Sequence, residues 1–169
     1  MKEIFTRRSV RQYSDKAISE NDLMKIIEAG MAAPSARNQQ PAEYIVIKDK
    51  NNISNVSGVS KNAGFIKDAN ILICLVSKPT SMLTTPDMVE QDLALQMENM
   101  MLEACHLGIG SCYIGVYPKE DRMSFLTKEL NISDGYFPFA LLSLGYPLKE
   151  DAFKKVEREF SSRIHKEKF

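Results

Sequence analysis

The segment Asn70–Ser77, with the sequence NILICLVS, restricts the fold of this chain more than any other feature. Its centre, Ile71–Val76, is an uninterrupted run of apolar side chains of the aliphatic and β-branched types that favour strands. A strand that is apolar on both faces is stable only when both faces are covered. We therefore expect this segment to be the central strand of a sheet that is buried on both sides.

Helical and strand patterns surround this run. Apolar residues at helical spacing predict a helix of about 13 residues between Ser19, a typical N-cap residue, and Pro34. A longer helix is predicted from Val89 to Leu107, where apolar residues are three or four positions apart and Gly108 is placed to end it. We further predict strands over residues 43–48, 111–117 and 139–146, a helix over 118–130 and short helices near 50–66. This mixture indicates an α+β layered fold, with a single domain over residues 1–169.

The formal net charge of the 169-residue chain is zero, but its basic side chains are unevenly distributed. Residues 1–16 carry five basic and two acidic side chains, residues 149–169 carry seven and five, and the segment between them is acidic. The two basic ends either converge on one anion, most simply a phosphate, or are ordinary solvated termini. A neutral chain whose arginines are not interleaved with aromatic residues has a poor nucleic-acid footprint, so no nucleic-acid partner is expected.

Hydropathy and cysteine content predict a cytoplasmic protein. The longest apolar run has six residues, against about 20 in a membrane-spanning helix. The three cysteines, Cys74, Cys105 and Cys112, include no CxxC pair and are odd in number, which is typical of reduced thiols and not of a disulfide framework. We expect neither a membrane protein nor a secreted one, and we interpret the cysteines as core residues.

The motifs of the common enzyme classes are not found in the sequence. Gly108-Ile109-Gly110 follows a predicted helix instead of a strand, and Tyr113 stands where a dinucleotide-binding loop needs a third glycine. The two histidines, His106 and His165, are far apart, and no metal-ligand spacing or nucleophile motif occurs. If the chain is an enzyme, we expect an organic cofactor to supply the chemistry, with no metal and no catalytic side chain.

Two polar segments have the composition of a cofactor site. Arg7-Arg8-Ser9-Val10-Arg11 combines three guanidinium groups with a hydroxyl, which suits the oxygens of a phosphomonoester. The segment Pro34–Pro41 follows a predicted helix end and supplies amide donors and acceptors, which suit the carbonyl and N–H edge of a heterocycle. Each segment alone is more typical of a surface loop, whereas the two together indicate a site.

These segments and several others resemble, in order, the motifs of the nitroreductase family of FMN-dependent oxidoreductases. The resemblance covers nearly the whole chain and rests on Arg7–Arg11 with Tyr13, Ala33–Pro41, Asp68-Ala69, Asp92-Leu93-Ala94, Leu107–Gly115, Gly145-Tyr146-Pro147 and Arg158–His165. It implies the family's α+β fold, with a mixed central β-sheet flanked by helices and a long central helix at a homodimer interface. The loop between Ser77 and Asp87 is shorter here than the segment that caps the active site in many relatives.

The resemblance also implies where the phosphate and the polar edge of FMN bind. Arg7, Ser9 and Arg11 correspond to phosphate-binding positions, and Arg8 corresponds to a residue along the polar edge of the flavin. Arg158 corresponds to a further phosphate contact from the C-terminal end. Binding of one phosphate would then bring the two basic ends of the chain together.

Three more regions are implied to contact the flavin. The loop that reaches the flavin of the partner subunit corresponds to Pro34, Ser35, Ala36, Asn38 and Gln40. Asn62 corresponds to an asparagine near the pyrimidine edge of the ring. Ile114 and Gly115 correspond to a turn whose backbone N–H approaches flavin N5, where a glycine lets the chain come close to the ring.

The function implied by the resemblance is electron transfer from NAD(P)H, through flavin N5, to an electrophilic acceptor such as a nitroaromatic or a quinone, in a ping-pong reaction. The active sites would be shared between the two subunits of a homodimer, without an obligatory catalytic side chain. Two alternatives remain open. One is a flavin protein of the same fold with another redox task, such as reductive dehalogenation or flavin breakdown, and the other is a non-catalytic flavin-binding dimer.

Overall fold

The computed structural model describes all residues from Met1 to Phe169, and one four-stranded sheet lies at its centre. The strands are β1 (Ala42–Ile47), β2 (Ile71–Ser77), β3 (Gly110–Gly115) and β4 (Phe137–Gly145), in the order β1-β2-β4-β3. β2 pairs with both β1 and β4 and is buried along its whole length. This arrangement confirms the prediction of a central strand.

The sheet is mixed only through the N-terminal segment of the chain. All three pairs of neighbouring strands are antiparallel. The one parallel pairing is an isolated bridge between Ser9 and Ser111 of β3. The resemblance implied a mixed sheet, and its parallel component is limited to this bridge because the residues that run beside β3 form no regular strand.

Five α-helices flank the sheet: α1 (Glu3–Thr6), α2 (Glu20–Met31), α3 (Lys50–Val56), α4 (Val89–His106) and α5 (Glu120–Glu129). All but α1 confirm helices predicted from the sequence, whereas α1 is a single turn that no pattern indicated. The Ser19 hydroxyl accepts the Asp22 N–H at 3.1 Å as the N-cap of α2, and Gly108, with a φ of +71°, follows the end of α4. No helix combines the length and hydrophobicity needed to cross a bilayer.

Residues of β2 alternate between two hydrophobic cores. One core, covered by α2 and α4, receives Ile71, Ile73 and Leu75. The other core, covered by α3 and α5, receives the intervening residues 72, 74 and 76. The fold therefore has a helical layer on each face of the sheet, which is the arrangement that a strand with two apolar faces requires.

The long helix α4 is buried on one side and open on the other. Leu93, Met97 and Met100 are fully buried against the sheet, whereas Leu95 is 47% exposed. The C-terminal residues 154–169 are also exposed throughout, and several of them are large and apolar. Apolar surfaces that one chain leaves uncovered are typical of contact surfaces between proteins.

Candidate functional site

The N-terminal segment from Ser9 to Ser14 is bound by backbone hydrogen bonds to one edge of the sheet. The Val10 N–H donates to the Ser111 carbonyl of β3 at 2.9 Å, and the Ser14 N–H donates to the Tyr146 carbonyl at 2.9 Å. Ser9 and Arg11, two of the predicted phosphate-binding residues, are therefore carried by a backbone that the sheet fixes in place, whereas Arg7 follows α1 and Arg158 lies in the exposed tail.

Tyr13 anchors this segment from the inside. Its hydroxyl donates to the Val10 carbonyl at 2.6 Å and lies 2.7 Å from the Ser143 hydroxyl. Burial raises the pKa of Tyr13 above its usual range, so the hydroxyl stays protonated at neutral pH and keeps its proton to donate. The Tyr13 ring packs so closely on Gly145 that a Cβ added there would lie 2.6 Å from Tyr13 Cδ1.

We expect Gly145→Ala to unfold at a clearly lower urea concentration than the parent protein. The new methyl group would overlap the Tyr13 ring, and overpacking of this kind typically costs about 1–3 kcal/mol of unfolding free energy. Gly64→Ala is the matched control, because no atom lies within 4 Å of the Cβ added there. Equal urea midpoints for the two variants would contradict the tight packing of Tyr13.

A groove of about 590 Å³ borders the end of α1 and the C-terminal tail. Arg7, Arg8 and Arg158 line this groove together with Ser9 and Lys155. The structure thus brings basic residues from both ends of the chain to one place. Lys155 is paired with Glu157, which also lines the groove. The three guanidinium groups and the Ser9 hydroxyl therefore provide the charge and the hydrogen-bond donors that bind a phosphate.

The arginines differ in how far their guanidinium groups are already engaged. Arg7 donates from Nε to Glu98 Oε1 at 3.1 Å, and Arg8 donates to the backbone carbonyls of Phe5 and Arg7. Arg11 lines an adjoining pocket that shares Arg8 and Ser9 with the groove. Its exposed guanidinium makes one long bond of 3.5 Å to a neighbouring carbonyl and lies 5.8 Å from the centre of the Phe65 ring. Arg11 therefore keeps most of its donors free for an anion.

The loop between α2 and β1 has an unusual backbone. Arg37, Asn38 and Gln40 have φ values of +49°, +54° and +46°, in the left-handed region that residues other than glycine rarely occupy. The Gln40 N–H donates to the Ser35 hydroxyl at 3.0 Å, and Lys78 Nζ donates to the Gln40 carbonyl at 3.0 Å. Contacts outside the loop therefore help to fix its conformation.

Asp92 of α4 is the buried anchor of this loop. Its Oδ1 accepts the Ala36 N–H at 2.9 Å, and its Oδ2 accepts from Gln39 Nε2 at 2.6 Å. The Gln39 side chain also accepts the Thr85 N–H at 2.9 Å and donates to the Thr85 carbonyl at 3.0 Å. From the sequence, Asp92 is marked only as part of a family motif and Gln39 only within the segment Pro34–Pro41, and Thr85 has no predicted role. The contacts join residues 46 to 56 positions apart, and no local pattern marks such a pair.

In one chain, this loop and the arginine segment line different pockets. Ser35 and Gln40 line a pocket of about 250 Å³ together with Tyr44 and Lys78, whereas the arginines line the groove beside the tail and its neighbour. Pro34 and Asn38 are exposed. One chain alone therefore does not bring the two predicted halves of the site together.

The end of β3 presents an accessible backbone at Gly115. A Cβ added there would meet only Tyr113 Cε1, at 3.6 Å, and the side chain of Ile114 is buried in the core. Arg122, which no sequence pattern singled out, donates from a terminal guanidinium nitrogen to the Gly115 carbonyl at 2.7 Å. Asn62 lies in an exposed turn and lines neither arginine pocket.

The three cysteines are free and buried, and none belongs to a group of three or more His, Cys, Asp or Glu side chains suited to a metal ion. Burial raises the pKa of Cys74 to about 12 and also raises the pKa values of Cys105 and Cys112.

Because the thiolate is the reactive form of cysteine, we expect an aromatic disulfide reagent to label the folded protein slowly near neutral pH. Protein unfolded in guanidinium should release three equivalents of product quickly. A thiol that reacts in the folded protein as fast as free cysteine would contradict this expectation.

Two comparisons with known sequences match the chain over most of its length. The profile described as "Nitroreductase family" matches residues 4–63 and 56–146. A protein of Archaeoglobus fulgidus, provisionally named NADH dehydrogenase/NAD(P)H nitroreductase, is 40% identical over 170 residues, which cover 100% of this chain and 98% of that protein.

Solved structures share the fold. A provisionally named NADH oxidase from Clostridium acetobutylicum superposes with a TM-score of 0.95 at 37% identity, covering 99% of both chains. An FMN-dependent nitroreductase from Clostridium difficile superposes with a TM-score of 0.88 at 26% identity, covering 99% of this chain and 98% of that one.

Proposed function

We propose, from the premise that this chain belongs to the nitroreductase family, that it passes electrons from NAD(P)H to an electrophilic acceptor such as a nitroaromatic or a quinone. Membership of the family makes the chain an NAD(P)H-dependent FMN oxidoreductase. The proposal adds the acceptor, a ping-pong order and the residues that hold FMN. It also takes residues 1–169 as one domain in the cytoplasm, where free thiols stay reduced.

The basic groove beside α1 is the observation that carries this proposal. A phosphate dianion is bound well by guanidinium groups and hydroxyls, and the groove offers both, with Ser9 carried by the segment that pairs with the sheet. The residues present therefore fit FMN. Its phosphate would bind Arg7, Ser9, Arg11 and Arg158, and Arg8 would lie along the polar edge of its ring.

Bound FMN supplies a two-electron carrier between the nicotinamide and the acceptor. The side chains and backbone of the protein bind and orient it. The Gly115 backbone N–H would face N5 of the ring, and Arg122 holds the adjoining peptide by its carbonyl. Asn62 would lie near the pyrimidine edge. No side chain of the chain needs to act as an acid or a base.

A homodimer with two shared sites accounts for the separation of the two polar segments. The loop residues Pro34, Ser35, Ala36, Asn38 and Gln40 would contact the flavin held by the arginine segment of the partner subunit. The open side of α4 and the exposed C-terminal tail supply apolar surface that a second copy would cover. Each site would then contain two groups of residues that line separate pockets in one chain.

Steady-state oxidation of NADH and NADPH by the purified FMN-loaded protein tests the proposal. A nitroaromatic, a quinone, a halogenated aromatic and oxygen are supplied in separate assays. Turnover that depends on the nitroaromatic or quinone, with parallel double-reciprocal plots, would support the proposal. Halide release or loss of the flavin itself would indicate another redox task. Bound FMN without turnover would indicate a flavin-binding dimer.

A further inference from the structure

The flavin loop, defined here as residues Ser35–Gln40, has a conformation that its sequence does not favour. Three of its six residues lie in the left-handed region, and none of the three is glycine. Such residues persist only where the surrounding structure over-determines the backbone. The contacts that hold this loop therefore decide whether it keeps the shape that reaches a ligand.

The hydrogen bonds at Asp92 allow only one arrangement of donors and acceptors. An ionised carboxylate can only accept, and Asp92 accepts from the Ala36 N–H and from Gln39 Nε2. The Gln39 amide is fixed on its other side by both backbone groups of Thr85. If the amide were turned over, its oxygen would face the Asp92 carboxylate and the Thr85 carbonyl, and its nitrogen would face the Thr85 N–H. Every one of these contacts would be mismatched.

We propose that Asp92 and Gln39 are positioning residues that hold the flavin loop in the conformation that contacts FMN. The inference rests on the proposed function, and neither residue needs to touch the cofactor. Asp92 is 4% exposed and lies on α4, whose neighbouring Leu93 is part of the core against the sheet. The pair therefore ties a strained surface loop to a helix whose buried face packs against the sheet.

Isosteric exchanges test this pairing directly. Asp92→Asn keeps the shape of the side chain but places an N–H donor against either Gln39 Nε2 or the Ala36 N–H. Gln39→Glu places a second carboxylate against Asp92, at a contact that measures 2.6 Å in the parent. In the double variant, the new amide at position 92 can donate to the new carboxylate at position 39, so this contact again joins a donor to an acceptor. The Thr85 carbonyl is still mismatched, because it faces a carboxylate oxygen instead of the Gln39 N–H. The double variant should therefore bind FMN more tightly than either single variant.

Three readouts follow the loop and the flavin separately. Each single variant should lose about tenfold or more in FMN affinity, measured by fluorescence titration, since a charge-assisted hydrogen bond is lost or reversed. The visible absorbance and circular dichroism of the bound flavin should also change. Hydrogen exchange at the Ala36 amide should accelerate even in protein without FMN. Gln39→Ala, which buries no new charge, provides the same test if a charge-altered variant does not fold.

Asn99→Ala is the matched control. Asn99 also lies on α4 and donates from Nδ2 to the Ala29 carbonyl at 3.1 Å, so its removal costs a helix-anchoring bond away from the loop. We expect parental FMN affinity and flavin spectra for this variant.

The outcomes separate the positioning role from the proposed function. If the Asp92 and Gln39 variants keep parental affinity, spectra and Ala36 exchange, the positioning role is wrong while the proposed function stands. If the double variant binds no better than the single ones, the pairing is wrong. A parent protein that binds no FMN would overturn the proposed function and this inference with it.

Discussion

A mixed dimer that carries Arg11→Ala in one chain and Asn38→Ala in the other should show about half of the parental activity, assayed at an FMN concentration too low for either variant to be active as a homodimer. If each site takes its arginine segment from one chain and its flavin loop from the other, one site of the mixed dimer collects both lesions. The second site receives intact Arg11 and intact Asn38. Co-expression with two different affinity tags isolates the mixed dimer, and its NAD(P)H oxidation is measured per dimer.

The separation of the two segments within one chain is the structural reason for this expectation. The loop pocket and the arginine groove have no lining residue in common. A dimer of two differently tagged Arg11→Ala chains is the matched control, because neither of its sites then has an intact arginine segment. The shared-site arrangement is refuted if the Arg11→Ala and Asn38→Ala mixed dimer is stable but as inactive as this control.

The elements that could be predicted are those whose own side chains decide their structure. The apolar run of β2 requires burial on both faces, and the apolar spacing of α4 requires a helix whatever packs on it. The single turn of α1 carries no such pattern. It lies against α4, with its buried Glu3 carboxylate 3.1 Å from His106 Nδ1, and that contact depends on a residue 103 positions away.

The candidate site also contains some residues that could be predicted from the sequence and others that could not. The guanidinium groups concentrated between Arg7 and Arg11 predict a phosphate-binding site from the sequence alone, and in the structure Arg158 lines the same groove as Arg7 and Arg8. The shape of the flavin loop could not be predicted. Arg37, Asn38 and Gln40 have no intrinsic preference strong enough to adopt left-handed φ values together, and their conformation depends on Asp92 in a distant helix. Arg122 was not predicted as a site residue either, because only folding brings its side chain to the Gly115 carbonyl.

Arg11→Ala should weaken FMN binding by about ten- to hundredfold, because a charge-assisted contact to a bound phosphate contributes on the order of 1.5–3 kcal/mol. The structure predicts a larger loss for Arg11 than for Arg7. Arg7 already shares its Nε with Glu98, whereas the Arg11 guanidinium has no acidic partner and is exposed. Fluorescence titration of folded protein with FMN measures both dissociation constants.

The salt dependence of binding shows whether the effect comes from a phosphate contact. An exposed ion pair weakens as added salt screens it, so FMN affinity should fall more steeply with salt in the parent protein than in Arg11→Ala. Riboflavin, which lacks the phosphate, should bind equally weakly to both proteins. Arg163→Ala is the matched control. Arg163 lies in the same exposed tail as Arg158, but its side chain does not line the groove. Should Arg11→Ala bind FMN as tightly as Arg163→Ala does, Arg11 would not hold the phosphate, and the groove that Arg7 and Arg158 line would have to do so without it.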